Sequence, residues 1–88
     1  MSEIETPARR LAVAAIVVEN PDSVAGLNEL LHQFSSCIIG RMGIPCPNRG
    51  ISLISVALDA PEDGIAALTG RLGRLPGVSV KTAYSRVS

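Results

Sequence analysis

The sequence predicts one small α+β domain of βαββαβ order, and three observations carry that prediction. Apolar residues make up 47% of the 88-residue chain, yet the only aromatic ones are one Phe and one Tyr. The core must therefore be assembled from Ile, Val, Leu and Ala, a composition that suits a sheet with helices laid upon it. Four segments of strand character also alternate with two of helical period. Finally, the two halves echo each other. Val24, Leu27, Leu31 and Phe34 share their internal spacing with Ile65, Leu68, Leu72 and Leu75, and each set follows a strand, an acid and a Pro. That is a βαβ unit used twice. Right-handed crossovers then place both helices on the same face of one four-stranded antiparallel sheet, a ferredoxin-like sandwich.

Residues 1–9 read as a flexible lead-in to a single domain over residues 10–88. Arg10 to Glu19 (RLAVAAIVVE) is almost continuously apolar and rich in β-branched residues, the pattern of a buried central strand. Asn20 is placed to cap a helix, with Pro21 at its first position and Asp22 near the positive end of its dipole. Val24, Leu27, Leu31 and Phe34 give that helix one apolar face, which Leu30 widens. Cys37 to Ile44 (CIIGRMGI) reads as a second strand, at an edge or bulged because of its glycines, and Pro45 to Gly50 as a loop. Ile51 to Asp59 (ISLISVALD) is a third strand in which neither face is strongly polar, which fits cover on both. Pro61 opens a second helix with Glu62 and Asp63 in its first turn, and Gly73 to Gly77 ends it. Val78 to Tyr84 (VSVKTAY) alternates apolar and polar residues as a half-exposed fourth strand.

With both helices on one side, the other sheet face is apolar and bare. Monomers rarely leave such a patch in water, so a second copy is expected to cover it, in a dimer or a tetramer. Small size points the same way. A domain of this length buries only about two thirds of the surface its unfolded chain exposes, and a partner surface would add to a marginal core.

Eight basic and eight acidic side chains cancel, which removes the footprint of a free-standing nucleic-acid or anionic-membrane binder. No acid follows Asp63, whereas Arg71, Arg74, Lys81 and Arg86 do. Two cysteines with eight residues between them form neither a zinc ribbon nor a secreted scaffold. The run Leu11 to Val18 is too short to span a bilayer. A cytoplasmic protein is the expectation.

Catalytic chemistry finds little purchase. His32 is the only imidazole, and it flanks a core helix with no nucleophile paired to it by spacing. His32, Cys37 and Cys46 are the candidate metal ligands, but they are spread over a helix, a strand and a loop in no recognised spacing, so no metal site is assigned. Glu19 with Asp22, and Asp59 with Glu62, repeat at equivalent positions and read as helix-start chemistry rather than an acid/base pair. The glycines form no phosphate-binding fingerprint. Gly70 stands inside a helix at a cost of about 1 kcal/mol against Ala, which leaves open either close approach of another backbone or simple tolerance. The residues name no cofactor.

The stretches NELLH (Asn28 to His32), IIGRMGIP (Ile38 to Pro45), GISLISVALDAP (Gly50 to Pro61) and ALTGRLGRLPGVSVKTAY (Ala67 to Tyr84) resemble the small proteins described as iron-only hydrogenase system regulators. That group is similar to ACT domains and to the metal-sensing domain of the nickel-responsive repressor. The resemblance implies an ACT-like, sheet-associated oligomer that binds a small effector and regulates the hydrogenase system. Where the ACT pattern has a Gly after its first Asp and Pro, Ser23 and Val24 follow Asp22 here, so the resemblance carries over no amino-acid site. The nickel sensor's His and Cys cluster is also missing from the strands. The residues ahead of the first strand are too few for a ribbon-helix-helix, so direct contact with nucleic acid is not expected.

The combined expectation is a non-catalytic homo-oligomer, associated through its open sheet face, that senses a small effector or metal and acts through a partner protein. Its ligand or partner surface is placed on the loop Asn20 to Ser23 and the strand segment Gly40 to Pro45. The residues are Asn20, Asp22, Ser23, Gly40, Arg41 and Gly43, with Arg41 chosen because it is the one charge in an apolar strand. The alternative is a structural or assembly factor with no small-molecule ligand.

Overall fold

A computed structural model describes residues 8–46 and 48–86. Strand β1 (Arg9–Val18) leads through a 3₁₀ turn (Pro21–Ser23) into helix α1 (Val24–Gln33). A second 3₁₀ turn (Ser35–Cys37) precedes β2 (Ile38–Cys46), β3 (Ile51–Pro61), helix α2 (Glu62–Gly73) and β4 (Val78–Tyr84). The sheet order is β2-β3-β1-β4, and every neighbouring pair is antiparallel. This is the ferredoxin-like arrangement that the repeated βαβ pattern predicts. The first seven residues of the expected lead-in lie outside the described residues, and Arg9 already belongs to β1.

Alternation decides the layers. Ala12, Ala14, Ile16 and Val18 of β1 and Val56, Leu58 and Ala60 of β3 point to one side. There they meet Leu27 and Leu31 of α1 and Ile65, Leu68 and Leu72 of α2 in a single core. Alanines on the two central strands leave room for the helical leucines, and each large side chain so buried contributes about 1.5–3 kcal/mol. Arg10 closes one end, stacked 4.5 Å from the Tyr84 ring centroid and 3.2 Å from the Glu62 carboxylate. Arg71 lies 5.5 Å from the Phe34 ring centroid and ties α2 to the end of α1.

Several expectations change: Cys37 lies in the 3₁₀ turn before β2, and β3 runs on to Pro61, so that α2 opens at Glu62. β2 does not stop at Ile44 but continues through Pro45, which pairs with Ser52, to Cys46. Pro45 is compatible with the ladder because β2 is an edge strand and its outer side needs no donor. Val24 does not join the apolar stripe and stands 38% exposed. The 3₁₀ entry shifts the helical phase, so Ser23, four residues before Leu27, takes the buried place.

The junction after β1 is clasped to the one before β4. Glu19 N donates to Gly77 O at 2.7 Å, and Ser23 Oγ donates to Pro76 O at 2.5 Å. Gly77 has φ of 71°, and a Cβ there would sit 2.8 Å from Asn20 Cβ. Only glycine satisfies both the left-handed backbone and the close approach. Among the described residues, no helix is long and apolar enough to cross a membrane.

Candidate functional site

The expected ligand surface separates into two places. Asn20 caps the first 3₁₀ turn, its Oδ1 accepting from Asp22 N at 2.9 Å, and Ser23 spends its hydroxyl on Pro76. This loop is therefore occupied with fastening the chain. Gly40 lies two strands away from β1. It pairs with Ala57, which pairs with Val13, seven residues before Asn20. At about 3.3 Å per residue Gly40 is about 23 Å from the loop along the sheet, whereas Gly43, opposite Ile54 and so level with Ile16, is about 13 Å from it.

A β-bulge settles what β2 presents. Ile38 is opposite Leu58 while Gly40 is opposite Ala57, so Ile39 is an extra residue. In a regular strand Ile38 and Gly40 would share a face; the bulge reverses this. Arg41, opposite Val56, is thereby turned toward the helix side, as is Gly43 opposite Ile54. Gly40, Met42, Ile44 and Cys46 fall on the bare face instead.

On the helix side Arg41 completes a groove between α1 and β2. Asn28, Leu31, His32, Ser35, Ile38 and Arg41 line a hollow of about 360 Å³. Asn28 and His32 are one turn apart on the same flank of α1. Arg41 Nη2 donates to Asn28 Oδ1 at 3.1 Å. Among the described residues, no carboxylate pairs with Arg41, since the ion pairs there join Arg9 to Asp59 and Arg10 to Glu62. Asn28 and Ser35 escaped sequence reasoning. The four-residue spacing of Asn28 and His32 was the available signal, but nothing local shows that Arg41 faces them.

The candidate metal ligands do not converge. His32 is in this groove, Cys37 packs against the core with its sulfur 3.6 Å from a Cβ placed at Gly64, and Cys46 lies at the far end of β2 on the bare face. Among the described residues, no three His, Cys, Asp or Glu side chains form a group suited to a metal ion.

The bare face is the second feature. Of the seven large apolar side chains exposed among the described residues, Leu11, Val13, Ile39, Met42, Ile44 and Leu53 lie on or beside this face, and Val24 is elsewhere. Ile39, pushed out by the bulge and 65% exposed, overhangs a shallow hollow floored by Val13, Ala57 and Ala83. Charge is confined to the margins, with Asp59 paired to Arg9 at one end and Lys81 on the β4 edge. A further hollow of about 740 Å³ runs between α2 and β4 past Gly70 and Gly73. Among the described residues, nothing apart from the chain neighbours and the helix's own backbone comes within 4 Å of a Cβ at either glycine.

Comparison with known proteins adds the family context. The TM1266-like family model, described as "Iron-only hydrogenase system regulator, putative", matches residues 10–82. The solved structure of uncharacterized protein TM1266 from Thermotoga maritima is 37% identical, with 89% of this chain and 99% of that chain covered and a TM-score of 0.85. The C-terminal domain of the MgtC protein from Mycobacterium tuberculosis is 14% identical with a TM-score of 0.69, covering 96% of each chain. CPII, a nitrogen regulatory PII-like protein from Thiomonas intermedia K12 solved with ADP, AMP and bicarbonate, is 17% identical with a TM-score of 0.50, covering 86% of this chain and 94% of its own. These last two share the fold alone. No curated protein matches the chain.

Proposed function

Because the chain belongs to the TM1266-like family of iron-only hydrogenase system regulators, we propose that it is a non-catalytic, cytoplasmic, homo-oligomeric module of that system, sensing a small effector and signalling through a partner protein. The observation that carries the assembly is the bare sheet face. Four strands about 4.8 Å apart and about ten residues long present roughly 600 Å² per copy, and two such faces together reach about the 1,200 Å² at which specific interfaces begin. A second copy is the occupant that fits. The face is predominantly apolar, with the exposed Ser55 near its centre and charge at its margins, a pattern that two copies can match across a twofold axis.

The non-catalytic part rests on the family, which is described as one of regulators. The sensing part rests on the α1/β2 groove, where polar groups converge over an apolar floor in the manner of small-ligand sites.

Native mass spectrometry of protein purified anaerobically from a host carrying the hydrogenase maturation genes tests both parts. A dimer or tetramer is the expected result, and a monomer at every concentration overturns the assembly. A retained small molecule or metal supports sensing. An empty oligomer that amino acids, nucleotides and divalent metals all fail to stabilise in a thermal-shift panel overturns sensing, because a ligand specific to the folded form must raise its melting temperature.

A further inference from the structure

We infer that the groove between α1 and β2 is a binding site for a small oxyanion, a carboxylate or phosphate carried on a compact and partly apolar molecule. The inference rests on the effector-sensing part of the proposed function for its role, although the site is complete within one chain.

Arg41 is the starting point. Among the described residues its guanidinium has one partner, Asn28 Oδ1, and no neutralising carboxylate. The remaining donors of the fork are uncommitted. That one bond also orients Asn28: with its carbonyl oxygen turned to Arg41, the amide nitrogen is left as a donor. The His32 ring and the Ser35 hydroxyl line the same hollow and have no hydrogen-bond partner among the described residues. Four kinds of donor therefore surround one space.

No carboxylate lines that space. Glu29, the acid on α1, accepts from Gln33 Nε2 at 3.3 Å along the helix and is not part of the hollow. Guanidinium forks bind planar carboxylates and phosphates through paired, charge-assisted hydrogen bonds, and an adjacent amide and hydroxyl extend that pattern. Leu31 and Ile38 supply the apolar floor. A volume of about 360 Å³ is at the small end of ligand sites, which limits the occupant to a compact organic acid or phosphate ester.

The bulge makes the arrangement specific. It moves Arg41 off the bare face, where a lone charge would oppose association, and sets it against α1. One irregularity in β2 thus separates the surface for a second copy from the site for an anion.

The test is a ¹H–¹⁵N NMR titration of the full chain with sodium phosphate and, separately, sodium acetate, each against sodium chloride at equal ionic strength. Sedimentation velocity is run on the same samples. Saturable shifts of the amides of Asn28, His32, Ser35 and Arg41 with phosphate or acetate, and not with chloride, are expected. Saturation by phosphate alone identifies a phosphate ligand, and by acetate alone a carboxylate. Arg41→Gln should weaken binding about tenfold or more with the sedimentation coefficient unchanged, whereas Arg49→Gln, outside the groove, should bind as the parent does. Equal shifts with chloride, shifts spread over all the arginines, or unaltered binding by Arg41→Gln would overturn the site. So would an oligomer that dissociates on Arg41→Gln, since Arg41 would then serve assembly. A monomeric parent that still binds phosphate saturably would refute the proposed assembly and leave the anion site standing.

Discussion

The two faces of the sheet are made from the same strands and are both apolar, yet helices cover one and nothing among the described residues covers the other. On β1 the covered side carries Ala12, Ala14, Ile16 and Val18, and the bare side carries Leu11, Val13, Ala15 and Val17. The difference lies in where the bulk sits. The covered side joins Ile16, Val18, Val56 and Leu58 of the strands to Leu27, Leu31, Leu68 and Leu72 of the helices, with Ala12 and Ala14 between them. The bare side keeps its bulk on the strands themselves, in Leu11, Ile39, Met42, Ile44 and Leu53. What separates the two faces is therefore the cover over them and not the apolar content of their strands.

The largest expected effect breaks the comparison on the covered side. Leu68 is fully buried, and Leu68→Ala should cost about 3 kcal/mol, lowering the melting temperature by about 15 °C. Leu53→Ala, made where the chain is monomeric, should change it by only a degree or two. Equal losses would mean that Leu53 belongs to the monomer's core and that the two faces do not differ.

The next effect falls on the bare side. Val13 is 46% exposed, so Val13→Glu should leave the circular dichroism of the domain intact while weakening self-association at least about a hundredfold, as an unpaired charge enters the apolar centre of the interface. Sedimentation velocity across a concentration series measures it, and an unaffected oligomer would place the interface elsewhere.

The smallest effect sharpens the comparison away from the sheet. Gly70→Ala meets no atom of the described residues beyond its chain neighbours and its own helix backbone within 4 Å and should stabilise α2 by up to about 1 kcal/mol, read as a modest rise in melting temperature. A loss of association instead would show that a second copy comes close to α2, and that the bare sheet face is not the whole interface.

Most of the fold was legible because its signals are local. The order of elements follows from alternation in Val78 to Tyr84, from helical spacing in Leu27, Leu31, Leu68 and Leu72, and from Pro and acids at the helix starts. The bare face was legible too, because both sides of β1 are apolar. What escaped depends on single backbone adjustments. The 3₁₀ entry that exchanges Ser23 for Val24 at the buried position leaves no distinct mark in PDSV. The bulge at Ile39 decides which way Arg41 turns, and a count by twos from Ile38 gives the opposite side. Arg41 drew attention as the lone charge of its strand. Its companions Asn28 and Ser35 emerge only once the bulge turns it toward α1.

The edge of β2 bears on solubility. Its outer rim is interrupted at the Ile39 bulge and again at Pro45, which has no amide hydrogen to offer an incoming strand. Endless stacking of sheets edge to edge requires two serviceable rims on every molecule, and this chain keeps only that of β4. Pairing along that remaining rim would stop at two copies. A single chain thus offers an apolar sheet face but one unbroken rim, and not two, for an incoming strand.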